Sequence, residues 1–197
     1  MAIGHSARDT VEMLYDLGIE IMQKPFSVGA RIEHPQSLIN EAQYGKFAGH
    51  PKLGAADYKL ACHGLHERGA YTFCMCPGGT VVAAASEKGG VIVNGMSSLA
   101  RDGKNANSAL LVGIEPKDFP SEHPLAGIYY QREIEHNAFL LAGSDYRAPA
   151  QLVGDFLTGR ASTQLGNVEP TCYRCYPYRH KQVPASESYR YYEKRNS

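Results

Sequence analysis

The chain has 197 residues, of which 43% are hydrophobic, and a formal net charge of zero at neutral pH. That is enough chain for one domain with a core and too apolar for a disordered segment, while the balanced charge excludes a dedicated binder of nucleic acid or anionic membranes. No run approaches the roughly 18 apolar residues of a membrane span, and Met1-Ala2-Ile3-Gly4-His5 lacks the basic start of a signal peptide, so a cytoplasmic protein with its five cysteines as thiols is expected.

Ala2-Ile3-Gly4 reads as the end of a buried strand with nothing before it to pair with, so the start looks cut. Ser6 is placed to cap a helix, with Asp9 three residues on in the capping-box position. Val11, Leu14, Tyr15 and Leu17 recur at helical spacing, and Gly18 stops the helix. Val28, Ala30 and Ile32 alternate with Ser27, Gly29 and Arg31, which predicts a strand over 26–32. After His34-Pro35 a short helix is expected from Gln36 to Tyr44, closed by Gly45. Four strands follow, Tyr58–Cys62, Ala70–Met75, Thr80–Ser86 and Val91–Met96, joined by glycine-containing links at the spacing of an antiparallel meander. Asn107–Ile114 is a fifth strand of the group. A long helix is predicted over Pro124–Leu141, with Ser121 as its cap and Gly143 at its end. Pro149 opens a last short helix that carries Leu152, Val153, Phe156 and Leu157 on one face up to Gly159. Residues 172–197 hold six of the thirteen tyrosines and six Lys or Arg, with Val183 as the one aliphatic residue larger than alanine, and cannot make a core face. The expected class is therefore α+β, an antiparallel sheet of five or six strands packed by helices.

Cys74-Met75-Cys76-Pro77-Gly78-Gly79 is the most informative stretch for chemistry. It closes a strand, Pro77 ends the pairing, and Gly78 and Gly79 let the backbone approach a flat ligand. Alternation puts Cys74 and Cys76 on one face and makes a disulfide between them strained. The residues alone leave three readings open: two small buried hydrophobes, a pocket lining, or a thiol that reacts as thiolate. Arg101, in the polar turn 101–107, is suited to hold a substrate carboxylate bidentately, against the plainer reading of a turn satisfied by its own Asn and Asp side chains. His34 is read as a cap for the helix that follows. His63 and His66 imitate a metal cluster but read as a solvated hairpin tip. Cys172-Tyr173-Arg174-Cys175 lacks a second ligand pair apart from His180, so no metal site is expected. Tyr129, Tyr130 and Phe139 read as helix core.

Several segments taken together carry a resemblance: Ala2-Ile3-Gly4-His5-Ser6-Ala7-Arg8-Asp9-Thr10, Arg31-Ile32-Glu33-His34-Pro35-Gln36, Gln43-Tyr44-Gly45, and Tyr71-Thr72-Phe73-Cys74-Met75-Cys76-Pro77-Gly78-Gly79. To these are added Asn94-Gly95-Met96-Ser97, Ala100-Arg101-Asp102-Gly103 and Asn105-Ala106-Asn107-Ser108-Ala109. In this order they resemble bacterial FAD-dependent dehydrogenases, relatives of the flavoproteins with two dinucleotide-binding domains. The resemblance implies a longer enzyme whose FAD site uses an N-terminal Gly-x-Gly-x-x-Gly turn and a C-terminal glycine-rich stretch. No Gly-x-Gly-x-x-Gly occurs in this chain. It further implies that Gly4, His5 and Ser6 form the strand-to-helix crossing that returns to the nucleotide, the helix pointing its positive end at an anion. Pro77, Gly78 and Gly79 are then cofactor-binding, and Cys74, Cys76 and Arg101 are the catalytic candidates. Residues 1–24 are expected to be a remnant of the FAD-binding domain, 25–171 the inserted substrate or cap domain, and 172–197 a tail outside the family. Such a chain forms a wall over the flavin but does not retain FAD by itself. NAD(P)H is left open as electron donor, and neither nucleic acid nor membrane is expected as a partner. The rival readings are a stand-alone module binding a small ligand or a protein, and a non-functional gene remnant.

The tail has its own expectation. Assigning synonymous codons to 174–197 and restarting two bases from the end of the Arg174 codon yields, under one permitted choice, a run similar to the family's continuation. A frameshift near codon 174 is therefore expected, against a divergent basic, aromatic tail that binds a partner; the gene sequence around that codon separates the two.

Overall fold

The computed structural model describes residues 3–65, 68–165, 170–171 and 175–177. Ala2, His66, Cys172 and the tail 178–197 lie outside the described residues, and so do the expectations placed on them. The chain divides into two compact units, Met1–Val82 with Val93–Ile134, and Ala83–Ile92 with Glu135–Ser197.

The first unit opens with helix α1 (Arg8–Asp16). Its N-cap position is Ala7, and no side chain caps it. Ser6 is therefore not the cap, and Asp9 accepts instead from the adjacent Thr10 N–H at 2.8 Å. The helix is held by contacts along its side: Arg8 is buried and Nη2 donates to Gln131 Oε1 at 3.2 Å, while Glu12 pairs with Arg132.

Strand β1 (Phe26–Pro35) runs three residues further than alternation predicts and leads directly into α2 (Gln36–Tyr44), whose limits match the expectation. Strands β2 (Ala61–Leu65), β3 (Arg68–Cys76) and, later, β6 (Asn105–Ile114) join β1 in a four-stranded antiparallel sheet ordered β1-β6-β3-β2. Among the described residues, strands β4 (Gly79–Ala84) and β5 (Ile92–Ser97) form a separate two-stranded sheet. The protein is thus α+β as expected, but with sheets of four and two strands in place of one sheet of five or six. The division falls at the end of β3, where register slips between Phe73 and Cys76 and the chain turns through Pro77-Gly78. A bulge followed by proline ends the ladder before β4 can extend it.

The core of this unit lies on one sheet face. Ile114, Phe119 and Ala126 are buried and packed by Phe26, Val28 and Tyr130, with the Phe26 and Phe119 rings stacked at 5.3 Å. Each large side chain buried there contributes about 1.5–3 kcal/mol. Helix α3 (Ala126–Leu141) begins on this core, where Leu125 N–H donates to His123 Nδ1 at 3.1 Å and His123 N–H to Ser121 Oγ at 3.3 Å. Ser121 thus acts one step removed, through the histidine.

In the second unit, strand β7 (Ala148–Ala150) pairs in parallel with β8 (Cys175–Pro177). The short helix α4 (Val153–Leu157) is fixed by buried Ser162, which accepts from Leu152 N–H at 2.9 Å and donates to Asp155 at 2.8 Å. No helix among the described residues is long and apolar enough to cross a membrane.

Candidate functional site

Arg31, Glu33, Cys74, Cys76, Asn105 and Asn107 come together at one end of the four-stranded sheet. Strands β1 and β6 run in regular register, with Arg31 opposite Ala109 and Glu33 opposite Asn107. Residues two apart share a face, so Arg31, Glu33, Asn105 and Asn107 project together and pair diagonally. Arg31 Nη1 donates to Asn107 Oδ1 at 2.6 Å, and Asn105 Nδ2 donates to Glu33 Oε1 at 2.9 Å. Asn107 and Ser108 are fully buried. A Cβ on Gly95 would stand 2.3 Å from both Arg31 Nη1 and Asn107 Oδ1, so only glycine lets β5 lie over this pair. Arg31 Nη1 also donates to the Cys74 carbonyl at 3.2 Å, tying β1 to the end of β3.

That end of β3 is a bulge. Phe73 pairs with Ala109 and Cys76 with Asn107, three residue steps on β3 against two on β6. Cys74 takes the left-handed conformation with φ 45°. The alternation that would place both thiols on one face is interrupted here: Cys76 is in register with Phe73 and Asn107 on their face. The Cys76 thiol turns back and donates to the Cys74 carbonyl at 3.3 Å. Cys74 is exposed, and Cys76 is half-buried.

Pro77, Gly78 and Gly79 are buried. Gly78 N–H donates to Gln36 Oε1 at 2.7 Å, Ser97 Oγ donates to the Pro77 carbonyl at 2.8 Å, and Gly103 N–H donates to the Gly78 carbonyl at 3.2 Å. A Cβ on Gly78 (φ 52°) would meet the Arg101 carbonyl oxygen at 2.0 Å, and one on Gly79 would meet the Met96 carbonyl at 2.6 Å. These glycines permit backbone to pack on backbone, and their Cα faces are filled by protein. Arg101, like Cys74, holds a left-handed backbone, with φ 52°. It is exposed, and its guanidinium makes no hydrogen bond or ion pair among the described residues. Non-glycine residues in this conformation cost of order 1–3 kcal/mol and concentrate at functional sites; two of the three catalytic candidates, Cys74 and Arg101, stand in it and Cys76 does not.

Two further residues were not legible as functional. Gln36 is buried and every polar atom of its amide is used: Nε2 donates to Asn40 Oδ1 at 2.8 Å and to the Ala56 carbonyl at 2.9 Å, while Oε1 receives Gly78 N–H. Tyr58 shares its hydroxyl with His34 Nε2 at 2.8 Å, so His34 bonds a tyrosine and does not cap α2, whose N-cap is Pro35. Burial pushes the Tyr58 phenol above its ordinary pKa, against a hydrogen bond from Ser108 and the charge of Arg31. Tyr58 and Cys74 line one hollow of about 160 Å³, together with Lys59, Thr72, Phe73 and Met75.

At the other end of the unit, Gly4, His5 and Ser6 are exposed. Gly4 has φ 72° and nothing within 4 Å of the position a Cβ would take. The open Gly4 turn leaves room for close approach of a phosphate-bearing cofactor, and Cys74 and Arg101 are both exposed, while the positions a side chain would take on Gly78 and Gly79 are occupied by backbone. Among the described residues no three His, Cys, Asp or Glu side chains are grouped to hold a metal ion, and His63 lies exposed on β2.

The family model described as FAD-dependent protein, C-terminal domain-like, matches residues 25–185. The matched span contains every site residue from Arg31 to Asn107, leaves Gly4, His5 and Ser6 outside, and continues past Arg174. An uncharacterized protein of Clostridium beijerinckii is 55% identical over 180 residues, which are 91% of this chain and 34% of that protein. The chain thus spans about a third of the length of the relative it matches.

Proposed function

The chain belongs to the family of the FAD-dependent protein C-terminal domain, and from that premise we propose that it forms the wall over the flavin and substrate of an FAD-dependent dehydrogenase. The reading is supported most by one observation: Cys74 and Arg101 are both exposed and both left-handed, and the Arg101 carbonyl packs on Gly78, four residues after Cys74. In this reading the anchoring of the FAD pyrophosphate belongs to other segments of a longer flavoprotein, and Gly4, His5 and Ser6 lie along the cofactor.

FAD, when bound, supplies the acceptor for a hydride or an electron pair, with NAD(P)H as the candidate donor. The chain's own residues bind and orient. Arg101 offers two parallel N–H donors to a substrate carboxylate. Phe73, 56% exposed beside Cys74, gives an apolar surface that excludes water from the reacting end. Tyr58 holds a proton at its hydroxyl at the edge of the hollow, and its 2.8 Å hydrogen bond with His34 Nε2 orients that hydroxyl. Arg31 and Gln36 are positioning residues that act through backbone: Arg31 through the Cys74 carbonyl, Gln36 through Gly78 N–H.

The test is to replace the matching segment of the Clostridium beijerinckii protein by this chain and to record the visible spectrum and reduction potential of the flavin. Arg101→Asn removes the charge but tolerates the left-handed backbone; Cys74→Ser removes the thiol. Each is expected to shift the flavin spectrum or potential at unchanged melting temperature. Flavin properties identical to the parent chimera in both variants contradict the placement.

A further inference from the structure

We propose that Cys74 and Cys76 are a reversible dithiol–disulfide pair that exchanges with low-molecular-weight disulfides, Cys74 being the attacking thiol and Cys76 the resolving one. Two residues along a regular strand advance about 6.6 Å, whereas a disulfide brings its Cβ atoms to roughly 3.5–4.5 Å. A C-x-C pair in an unbroken strand is therefore held open. Here the strand is broken between them. The inserted residue and the left-handed Cys74 interrupt the parallel projection, and the Cys76 sulfur already reaches back to Cys74, 3.3 Å from its carbonyl oxygen.

The surroundings hold that geometry from both sides. Arg31, itself bonded to buried Asn107, donates to the Cys74 carbonyl at 3.2 Å. Beyond Cys76, buried Pro77 accepts from Ser97 Oγ at 2.8 Å, and Gly78 is bonded to Gln36. The two thiols also differ in access, Cys74 exposed and Cys76 half-buried, the arrangement that separates an attacking from a resolving thiol. Cys74, as thiolate, attacks one sulfur of the small disulfide; that S–S bond breaks, and the first thiolate leaves, taking up the proton Cys74 shed. Cys76, as thiolate, then attacks Cys74 Sγ; the mixed S–S bond breaks, and the second thiolate leaves with the proton from Cys76. Two electrons pass from the cysteine pair to the small disulfide, which ends as two thiols. None of this requires the flavin, so the pair stands or falls apart from the cofactor reading.

The experiment equilibrates the reduced chain in glutathione buffers of rising oxidised fraction, blocks remaining thiols with N-ethylmaleimide, and weighs the tryptic peptide 69–88, which carries Cys74 and Cys76 and no other cysteine. The expected product is a peptide two hydrogens lighter that takes up no N-ethylmaleimide, exceeding the glutathione adduct about tenfold. Cys76→Ser traps glutathione on Cys74, and Cys74→Ser slows adduct formation at Cys76 about tenfold. A persistent glutathione adduct at Cys74 in the unsubstituted chain overturns the proposal. So do two thiols that stay alkylatable throughout, or a chain in urea that closes the link as readily as the folded one.

Discussion

The carbonyl oxygen of Arg101 fills the place where Gly78 would carry a side chain, 2.0 Å from the position of its missing Cβ. The contact is backbone against backbone, so no rotamer change relieves it, and Gly78 also holds φ 52°. Gly78→Ala must therefore push the Arg101 loop away or twist the turn. It is expected to cost about 3 kcal/mol, read as a lower midpoint in urea unfolding, and to break the Gly103–Gly78 hydrogen bond. An unchanged midpoint contradicts the contact.

Gly95 and Gly113 make a controlled comparison. Gly95→Ala collides with Arg31 Nη1 and Asn107 Oδ1; displacing that buried bond is expected to cost about 2–3 kcal/mol. Gly113, on β6, has nothing within 4 Å of the position an alanine methyl would take. Gly113→Ala should be neutral or stabilising by about 0.5 kcal/mol, since glycine is a poor strand residue. Equal effects at the two sites contradict the proposed reason for Gly95.

Tyr58 sets an alkaline limit. Its phenol is raised by burial above the unfolded value, so between those two values the unfolded chain has released a proton the folded chain retains. Its contribution is present in full below about pH 10 and is lost as pH rises through the folded value. Tyr58→Phe loses the bond to His34, about 1 kcal/mol at neutral pH, but escapes this penalty. The stability gap between the two proteins should narrow above about pH 10, followed by urea midpoints; a gap that widens contradicts the shift.

Asp118 sets an acid limit. Burial opposes its ionisation, but the Arg68 hydrogen bond and the Glu115 N–H outweigh it and hold the carboxyl below its ordinary range; Arg68 Nη2 lies 2.5 Å from Asp118 Oδ1. A depressed carboxylate stabilises above the unfolded pKa, about 4, and that stabilisation is lost as pH falls through the folded value. Arg68→Gln should flatten the acid side of the stability curve; an unchanged acid slope contradicts the pairing.

What the sequence made legible followed from local rules. Gln36 after Pro35 and Gly45 after Tyr44 bound α2 without tertiary help. Strand existence was equally local, but the way strands combine was not. Nothing in the pattern of 70–84 announces that register slips at Cys74, and that slip separates β4 from the large sheet. Ser6 has the chemistry of a cap, yet the helix begins two residues later, where buried Arg8 reaches Gln131, a partner 123 residues away. Tyr58 and Gln36 were missed for a related reason. An aromatic at a strand start and a glutamine at a helix start are ordinary locally, and their roles arise only from His34 and Gly78, which the topology brings to them.

FAD retention measures directly whether this chain covers a flavin anchored mainly by segments outside it. The purified chain, mixed with excess FAD and passed through gel filtration, is predicted to emerge without visible flavin absorbance, while the chimera with the Clostridium beijerinckii protein retains one flavin per chain. Stoichiometric FAD on the chain alone, or a colourless chimera that is folded, would contradict that role.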